Sequence, residues 1–330
     1  SAIHIRYPQA VPRIFMIDRS KCIGCGICSQ VCRAGAVMYD DVERVMELKV
    51  GSIILALGFE EFRPKELGEL GYGRYPNVVT SIEFERILSA SGPYAGLLVR
   101  PSDGEIPRRI AFIQCVGSRD TRIGAPYCSS VCCMYSIKQA IIAREHAPID
   151  VECTIFYMDM RTYGKGFEAY RERAEEELGV RFVRCRVPHI YEDPATHNLI
   201  VRYVDEATGQ VREEEFDLVV LAVGFRPPPG VEELAKRLGI ELNEFGFCKV
   251  DPAKPLETSR PGIFVCGAFA GPKDIPDSVA EASGAAAKAA AVIASERGKL
   301  VAKKEYPPEV EVRPEEEPRI GVFICHCGIN

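Results

Sequence analysis

Four stretches of the chain are apolar at almost every position, and each stops at a small residue or turn: SIILALG (52–58), RIAFIQ (109–114), DLVVLAVG (217–224) and GIFVCG (262–267). Such runs, without polar alternation, fit strands buried on both faces in the middle of a parallel sheet. Two further segments predict helices: SSVCCMYSIKQAIIAREH (129–146), and an Ala-rich stretch that follows Asp277-Ser278 and closes at Gly298. Near the start, RIFMIDRSK (13–21) and AGAVMYDD (34–41) predict one short strand each, on either side of a Cys-rich loop. Residues 158–180 read as a loop followed by a helix of alternating charge, a solvated face. Residues 299–318 are charged and Pro-rich, hence a linker or surface strap, and 318–330 begins a fresh strand. Strands alternating with helices make the fold class α/β.

Composition narrows the function. The chain has 330 residues, about two domains' worth at ~150 each. Lys and Arg total 41 against 47 Asp and Glu, a net charge of −6, which offers no basic face for nucleic acid. No apolar run approaches the ~20 residues of a membrane helix, and the opening SAIHIRYPQAVPR lacks a signal peptide's apolar core. Fourteen cysteines fall in clusters separated by long gaps, which suggests metal ligands in a reducing, cytoplasmic setting rather than disulfides.

The first cluster is Cys22, Cys25, Cys28 and Cys32, spaced C-x2-C-x2-C-x3-C. That spacing wraps four thiolates around one [4Fe–4S] cubane, and Gly24 and Gly26 let the loop turn its amides toward the sulfurs. No second run of this kind exists in the chain, so all four would serve a single cluster unless a partner segment is missing, and Arg33 stands where Pro usually follows. An insert of about 40 residues is too small to stand without its metal.

The second set is Cys115, Cys128, Cys132 and Cys133. Cys115 lies in a strand-to-turn segment, QCVGSRD, where a nucleotide domain would carry G-x-G-x-x-G; that fingerprint is absent. Cys128 and Cys132 would share a helical face with Cys133 adjacent, so four thiolates can converge on a second cluster. The spacing is equally compatible with small cysteines packing a helix on a sheet. Cys153, Cys185 and Cys248 read as packing residues, and Cys266 as a small residue at a tight turn. The turn from Gly267 and Ala268 through Lys273, Asp274 and Ile275 to Ser278 would present backbone amides at a helix N-terminus, a ready anion site, with Asp277 and Ser278 as caps.

The Ala56-Leu57-Gly58 and Ala222-Val223-Gly224 strand ends, with the strand–turn–helix at 258–298, resemble the thioredoxin-reductase-like flavoproteins. That resemblance implies an FAD/NAD(P)-binding Rossmann-like fold with FAD near Gly58, Gly224, Gly267, Ala268, Lys273, Asp274, Ile275 and Ser278. Ala268 replaces the Asp most members carry, and the opening G-x-G-x-x-G of the FAD domain would lie before residue 1, so the chain reads as a segment of a longer polypeptide. Adding the ferredoxin-like insert, QCVGSRD…YCSSVCCMYSIKQA, DLVVLAVGFRP and GPKDIPDSVAEASGAAAKA, the chain resembles the heterodisulfide-reductase-A family of iron–sulfur flavoproteins over about residues 10–300.

The second resemblance implies that Cys115, Cys128, Cys132 and Cys133 bind a cluster near the flavin, and that Lys138 lies by the flavin N5. It also implies flavin-based electron bifurcation, and partners that include the other components of such a complex, ferredoxin, and a hydrogenase- or formate-dehydrogenase-linked donor. The expected order is an N-terminal remnant (1–12), ferredoxin-like insert (13–47), part of the FAD domain (48–106), a nucleotide-domain relic with the second cluster (107–225), return of the FAD domain (226–298), linker (299–318), and the start of a further module (319–330). In that last module Cys325 and Cys327 would supply two ligands of a third cluster. Two other functions fit the residues: a pyridine-nucleotide disulfide oxidoreductase working through a Cys pair, and a non-catalytic electron relay.

Overall fold

The computed structural model describes residues 2–5, 10–42, 44–206, 208–311, 313 and 315–324. It divides into two units: residues 1–50 with 301–330, and residues 51–300. In the first unit, strand β1 (Ile3–His4) pairs antiparallel with β2 (Met16–Ile17), and a short helix, α1 (Ile27–Val31), follows within the cysteine loop. The strand expected after the loop does not form: residues 34–41 are irregular, because the backbone turns at Gly35 (φ 58°) and its amides are directed at Cys32 instead of at a partner strand. The strand expected from 318 is likewise absent through residue 324, and Cys325 and Cys327 lie outside the described residues.

The second unit contains strands β3 (Ile53–Leu55), β4 (Glu60–Glu61) and β5 (Val78–Thr80), helix α2 (Ser81–Leu88), β6 (Arg109–Val116), α3 (Cys132–His146), β7 (Glu152–Tyr157), α4 (Phe167–Glu176) and β8 (Arg181–Arg184). It continues with β9 (His189–Glu192), β10 (Leu199–Val204), β11 (Val211–Phe216), β12 (Leu218–Val223), β13 (Phe225–Arg226), α5 (Val231–Leu238), β14 (Ile263–Val265) and α6 (Ile275–Val292). Five strands form an all-parallel sheet in the order β5-β12-β6-β7-β8. As the uninterrupted apolar run predicts, β12 lies inside this sheet with every residue buried.

Alternation along β6 sorts the core. Ile110 and Phe112 face α2, α3 and α4, where they meet Phe84, Ile137, Ile141 and Ala174. Ala111 and Ile113 face the other way, toward Ile190, Leu199, Val201 and Phe216 of the antiparallel sheet β11-β10-β9. The sheet is thus covered on both faces, as an all-parallel sheet requires.

A smaller body forms on β3 and β14, which pair in parallel with Leu55 opposite Val265. Leu55, Val265, Phe269, Val231 and Ala235 make its core. The apolar run at 52–58 therefore does not sit inside a wide sheet: among the described residues β3 has one neighbour, and Ile54 is 39% exposed. The short antiparallel ribbon of β4 and β13 connects these parts, with Phe59 and Phe225 stacked at 3.5 Å between ring centroids.

Candidate functional site

Parallel strands place their C-terminal ends along one edge, where α/β proteins bind ligands. At that edge of the larger sheet stand Cys115, one residue before the end of β6, and Cys132 and Cys133, the first residues of α3. Cys128 is in the preceding loop and not on the helical face predicted for it, because Ser130 adopts a left-handed conformation (φ 62°) that helix cannot continue through. The loop nevertheless brings its sulfur to the others. The negative charge of one thiolate raises the pKa of its neighbours, and Cys115, Cys128, Cys132 and Cys133 are linked in this way. Burial adds to the effect and is its largest cause: Cys133 is pushed up to about 11, Cys132 higher still, and Cys115 in the same direction.

Donors surround these sulfurs. Ser130 N–H donates to Cys128 Sγ at 3.3 Å, and Arg161 N–H to Cys133 Sγ at 3.4 Å. The Arg119 guanidinium favours the Cys115 thiolate by charge and by hydrogen bonding, and the Tyr135 hydroxyl, next to Cys132, donates to Val223 O at 2.8 Å. Among the described residues, three of the five non-glycine positions with positive φ flank the site: Cys115 (61°), Arg119 (55°) and Ser130 (62°). Backbone held in this region costs about 1–3 kcal/mol per residue and concentrates at functional sites.

No three His, Cys, Asp or Glu side chains among the described residues close around a single ion. A cubane differs, since its four corners keep the ligating thiolates well apart. Four mutually repelling sulfurs, with burial over them and donors against them, fit such a group.

Under the loop, Ser118 and Ser129 share a hydrogen bond of 2.5 Å, and Phe225 N–H donates to Ser129 Oγ at 2.9 Å. A Cβ on Gly224 would overlap Ser118 Oγ and come within 2.6 Å of Ser129 Oγ. The structure thus places Gly224 beneath the thiol loop, where close packing alone accounts for the glycine.

The cysteines of the first unit are more exposed. Gly24 and Gly26 turn with φ of 71° and 72°, and Ala36 N–H donates to Cys32 Sγ at 3.4 Å. Hydrogen bonds from that amide and from those of Ala34, Gly35 and Val37 lower the Cys32 pKa, which is the loop-amide arrangement expected around a cubane. Tyr39 Oη lies 3.1 Å from Cys28 Sγ.

On the smaller body, the β3–β14 pairing sets Gly58 and Gly267 just beyond the same strand edge. Both have positive φ, 71° and 70°, and a Cβ at Gly58 or at Gly271 would meet nothing within 4 Å, an open cradle that fits a flavin approaching the backbone. Ala268 is buried in the short 3-10 turn Gly267–Ala270. Helix α6 starts earlier than predicted: Asp274 is its cap, accepting Asp277 N–H at 2.9 Å. Ser278 lies inside the first turn and donates to Asp274 O at 2.7 Å, so neither it nor Asp277 is the cap, and Ile275 at N1 is exposed. Glu281, one turn further on, escapes a reading of the sequence. Its carboxylate accepts Gly267 N–H at 2.9 Å and Lys273 Nζ at 2.5 Å, tying the turn to the helix. Lys138, on α3, is ion-paired with Glu85 of α2, which also accepts from Gln139 at 3.1 Å.

A covered parallel sheet with a cubane-type thiol loop describes a class of protein, and comparison with known families agrees. The model for pyridine nucleotide-disulphide oxidoreductases matches residues 28–286, and that for the 4Fe-4S binding domain matches residues 15–38. The chain belongs to the pyridine nucleotide-disulphide oxidoreductase family, whose members bind FAD, and carries a 4Fe–4S binding domain.

Within that family it is heterodisulfide-reductase-A-like. It is 47% identical over 291 residues to the A component of the H(2):CoB-CoM heterodisulfide,ferredoxin reductase of Methanothermobacter thermautotrophicus, covering 88% of this chain and 44% of that protein. It is 50% identical over 296 residues to the second A-type iron-sulfur component of the CoB--CoM heterodisulfide reductase of Methanopyrus kandleri, covering 89% and 45% respectively. The chain thus spans less than half the length of these relatives. A Lactococcus lactis thioredoxin reductase aligns with TM-score 0.46 at 20% identity, over 74% of this chain and 66% of that one. Among the described residues no helix is long and apolar enough to cross a membrane.

Proposed function

We propose that this chain passes electrons between FAD and two [4Fe–4S] clusters as the A-type component of a heterodisulfide-reductase-like complex. The observation that carries this reading is the set Cys115, Cys128, Cys132 and Cys133, four thiols within one another's electrostatic reach at the sheet edge where the nucleotide glycine loop is missing. FAD, when bound, accepts electrons in pairs and releases them singly, and each cluster carries one.

The chain's own residues divide the remaining work. Gly58 and the turn from Gly267 to Ser278 hold the flavin, with Glu281 fixing Gly267 and Lys273. Lys138, its charge balanced by Glu85, would lie by the flavin N5 on the family resemblance. Cys22, Cys25, Cys28 and Cys32 hold the exit cluster, from which partners are reached. The names of relatives that mention ferredoxin, hydrogen and formate support ferredoxin and a hydrogen- or formate-linked donor as those partners; bifurcation as the overall reaction rests on the family resemblance alone.

Thiol–disulfide exchange at Cys132-Cys133 is disfavoured. The pair is vicinal and not C-x-x-C, and no nucleotide glycine loop accompanies it. The test is iron content: Cys132→Ser and Cys22→Ser should each lose about four irons per chain, additively. Unchanged iron in Cys132→Ser would overturn the second cluster.

A further inference from the structure

The thiol site has cations built against it that the cysteine spacing does not foretell, and Arg119 is the one whose guanidinium favours the Cys115 thiolate. Arg119 lies four residues past Cys115 in left-handed backbone (φ 55°), and its amide donates to Tyr127 O at 2.9 Å, which locks the loop against the stretch carrying Cys128. Its guanidinium is ion-paired with Asp159. Asp159 belongs to the turn that touches Cys133: its carbonyl lies 4.0 Å from that sulfur, and Arg161 N–H donates to the same sulfur. Arg161 Nε also stands 3.5 Å from the Asp159 carboxylate. The neighbouring acid, Asp120, is taken up by Arg122 at 2.6 Å and Arg186 at 3.1 Å. The charges facing the site are therefore Arg119 and Arg161, with Asp159 between them.

A [4Fe–4S] core with four thiolates is dianionic when oxidised and trianionic after accepting one electron. In a partly buried site a fixed cation stabilises the more negative form, and a fixed anion opposes it. We propose that Arg119 is the built-in counter-charge of the cluster at Cys115, Cys128, Cys132 and Cys133, and that Asp159 moderates it, so that the pair sets the potential at which this cluster takes its electron. One electron enters, no bond breaks and no proton need follow. The inference rests on the second cluster proposed above, with Arg119 and Asp159 as positioning residues that act through charge and not as ligands.

Because the two charges are opposite, their removal must act in opposite directions, which a merely structural role would not produce. The experiment is a redox titration of the anaerobically purified chain by electron paramagnetic resonance, following the signal that disappears in Cys132→Ser. Arg119→Gln should make reduction harder by about tenfold, or about 59 mV for one electron. Asp159→Asn should make it easier, and Arg119→Lys should stay near the parent. Iron is counted in every variant. If Arg119→Gln sheds iron, Asp159→Asn decides alone, and its potential must rise. Unchanged potentials, or shifts of the same sign with iron retained, would overturn the inference. A parent chain with only four irons would instead overturn the second cluster itself, a separate and recognisable failure.

Discussion

Gly224 shows how tightly single residues are specified beneath the thiol loop. The Ser118–Ser129 pair occupies the space a side chain would need, and Gly224 N–H donates to Val116 O at 2.8 Å, so the strand cannot back away. Gly224→Ala is expected to cost about 1–3 kcal/mol by overpacking, read as a lower urea midpoint. An unchanged midpoint would show that the loop yields. The buried cysteines outside the cluster sets give a pH prediction. Burial pushes Cys153 and Cys185 up to about 12 and Cys248 to about 11, from 9.0. The folded chain keeps these protons where the unfolded chain loses them, so their stabilisation is complete below pH 9.0 and is lost as pH rises toward 11–12. Replacing Cys153 by Ala should flatten that alkaline limb in pH-dependent unfolding, and an unaltered limb would contradict the assignment. At this scale the packing cysteines were legible from their isolation in the sequence. The strained φ at Cys115, Arg119 and Ser130 was not, because none of the three is the glycine that normally announces such backbone.

Element by element, the strands and helices follow from local pattern and their ends do not. The run 217–224 gives β12 because all positions from 218 to 223 are apolar, whereas the similarly apolar 52–58 gives only three strand residues, since the parallel pair has no further described neighbour. Helix α2 carries a complete capping box, with Thr80 Oγ accepting Glu83 N–H at 3.2 Å and Glu83 accepting Thr80 N–H at 2.8 Å, a T-x-x-E signal readable in the sequence. For α6 three acceptors compete within five residues, and Asp274 wins because Pro276 fits the first turn, where no backbone donor is needed. Asp274→Ala should cost about 0.5–2 kcal/mol in urea unfolding, while Asp277→Ala should cost less than Asp274→Ala. The reverse order would place the cap where the sequence suggested. Glu281→Gln keeps the shape but weakens the grip on Gly267 and Lys273, so it should reduce FAD retained per chain without changing iron, as measured after gel filtration.

At the level of the whole molecule, the site is assembled from three places: the end of β6, the loop leading into α3, and the Asp159–Arg161 turn after β7. The first two were legible, because cysteines mark them and the missing glycine fingerprint implies a replaced nucleotide site. The third was not: residues 158–180 read as solvated charge, and only the parallel register of β6 with β7 carries that turn to Cys133. A wide fold thus supplies what a short motif cannot, a shell of donors and charges drawn from segments far apart in sequence. This shell is proposed to enclose a second cubane beside the flavin. That second cubane is tested most directly by counting iron, acid-labile sulfide and flavin in the anaerobically purified chain. About eight irons with one FAD per chain are expected; about four irons, with the same count in Cys132→Ser, would contradict the second cubane.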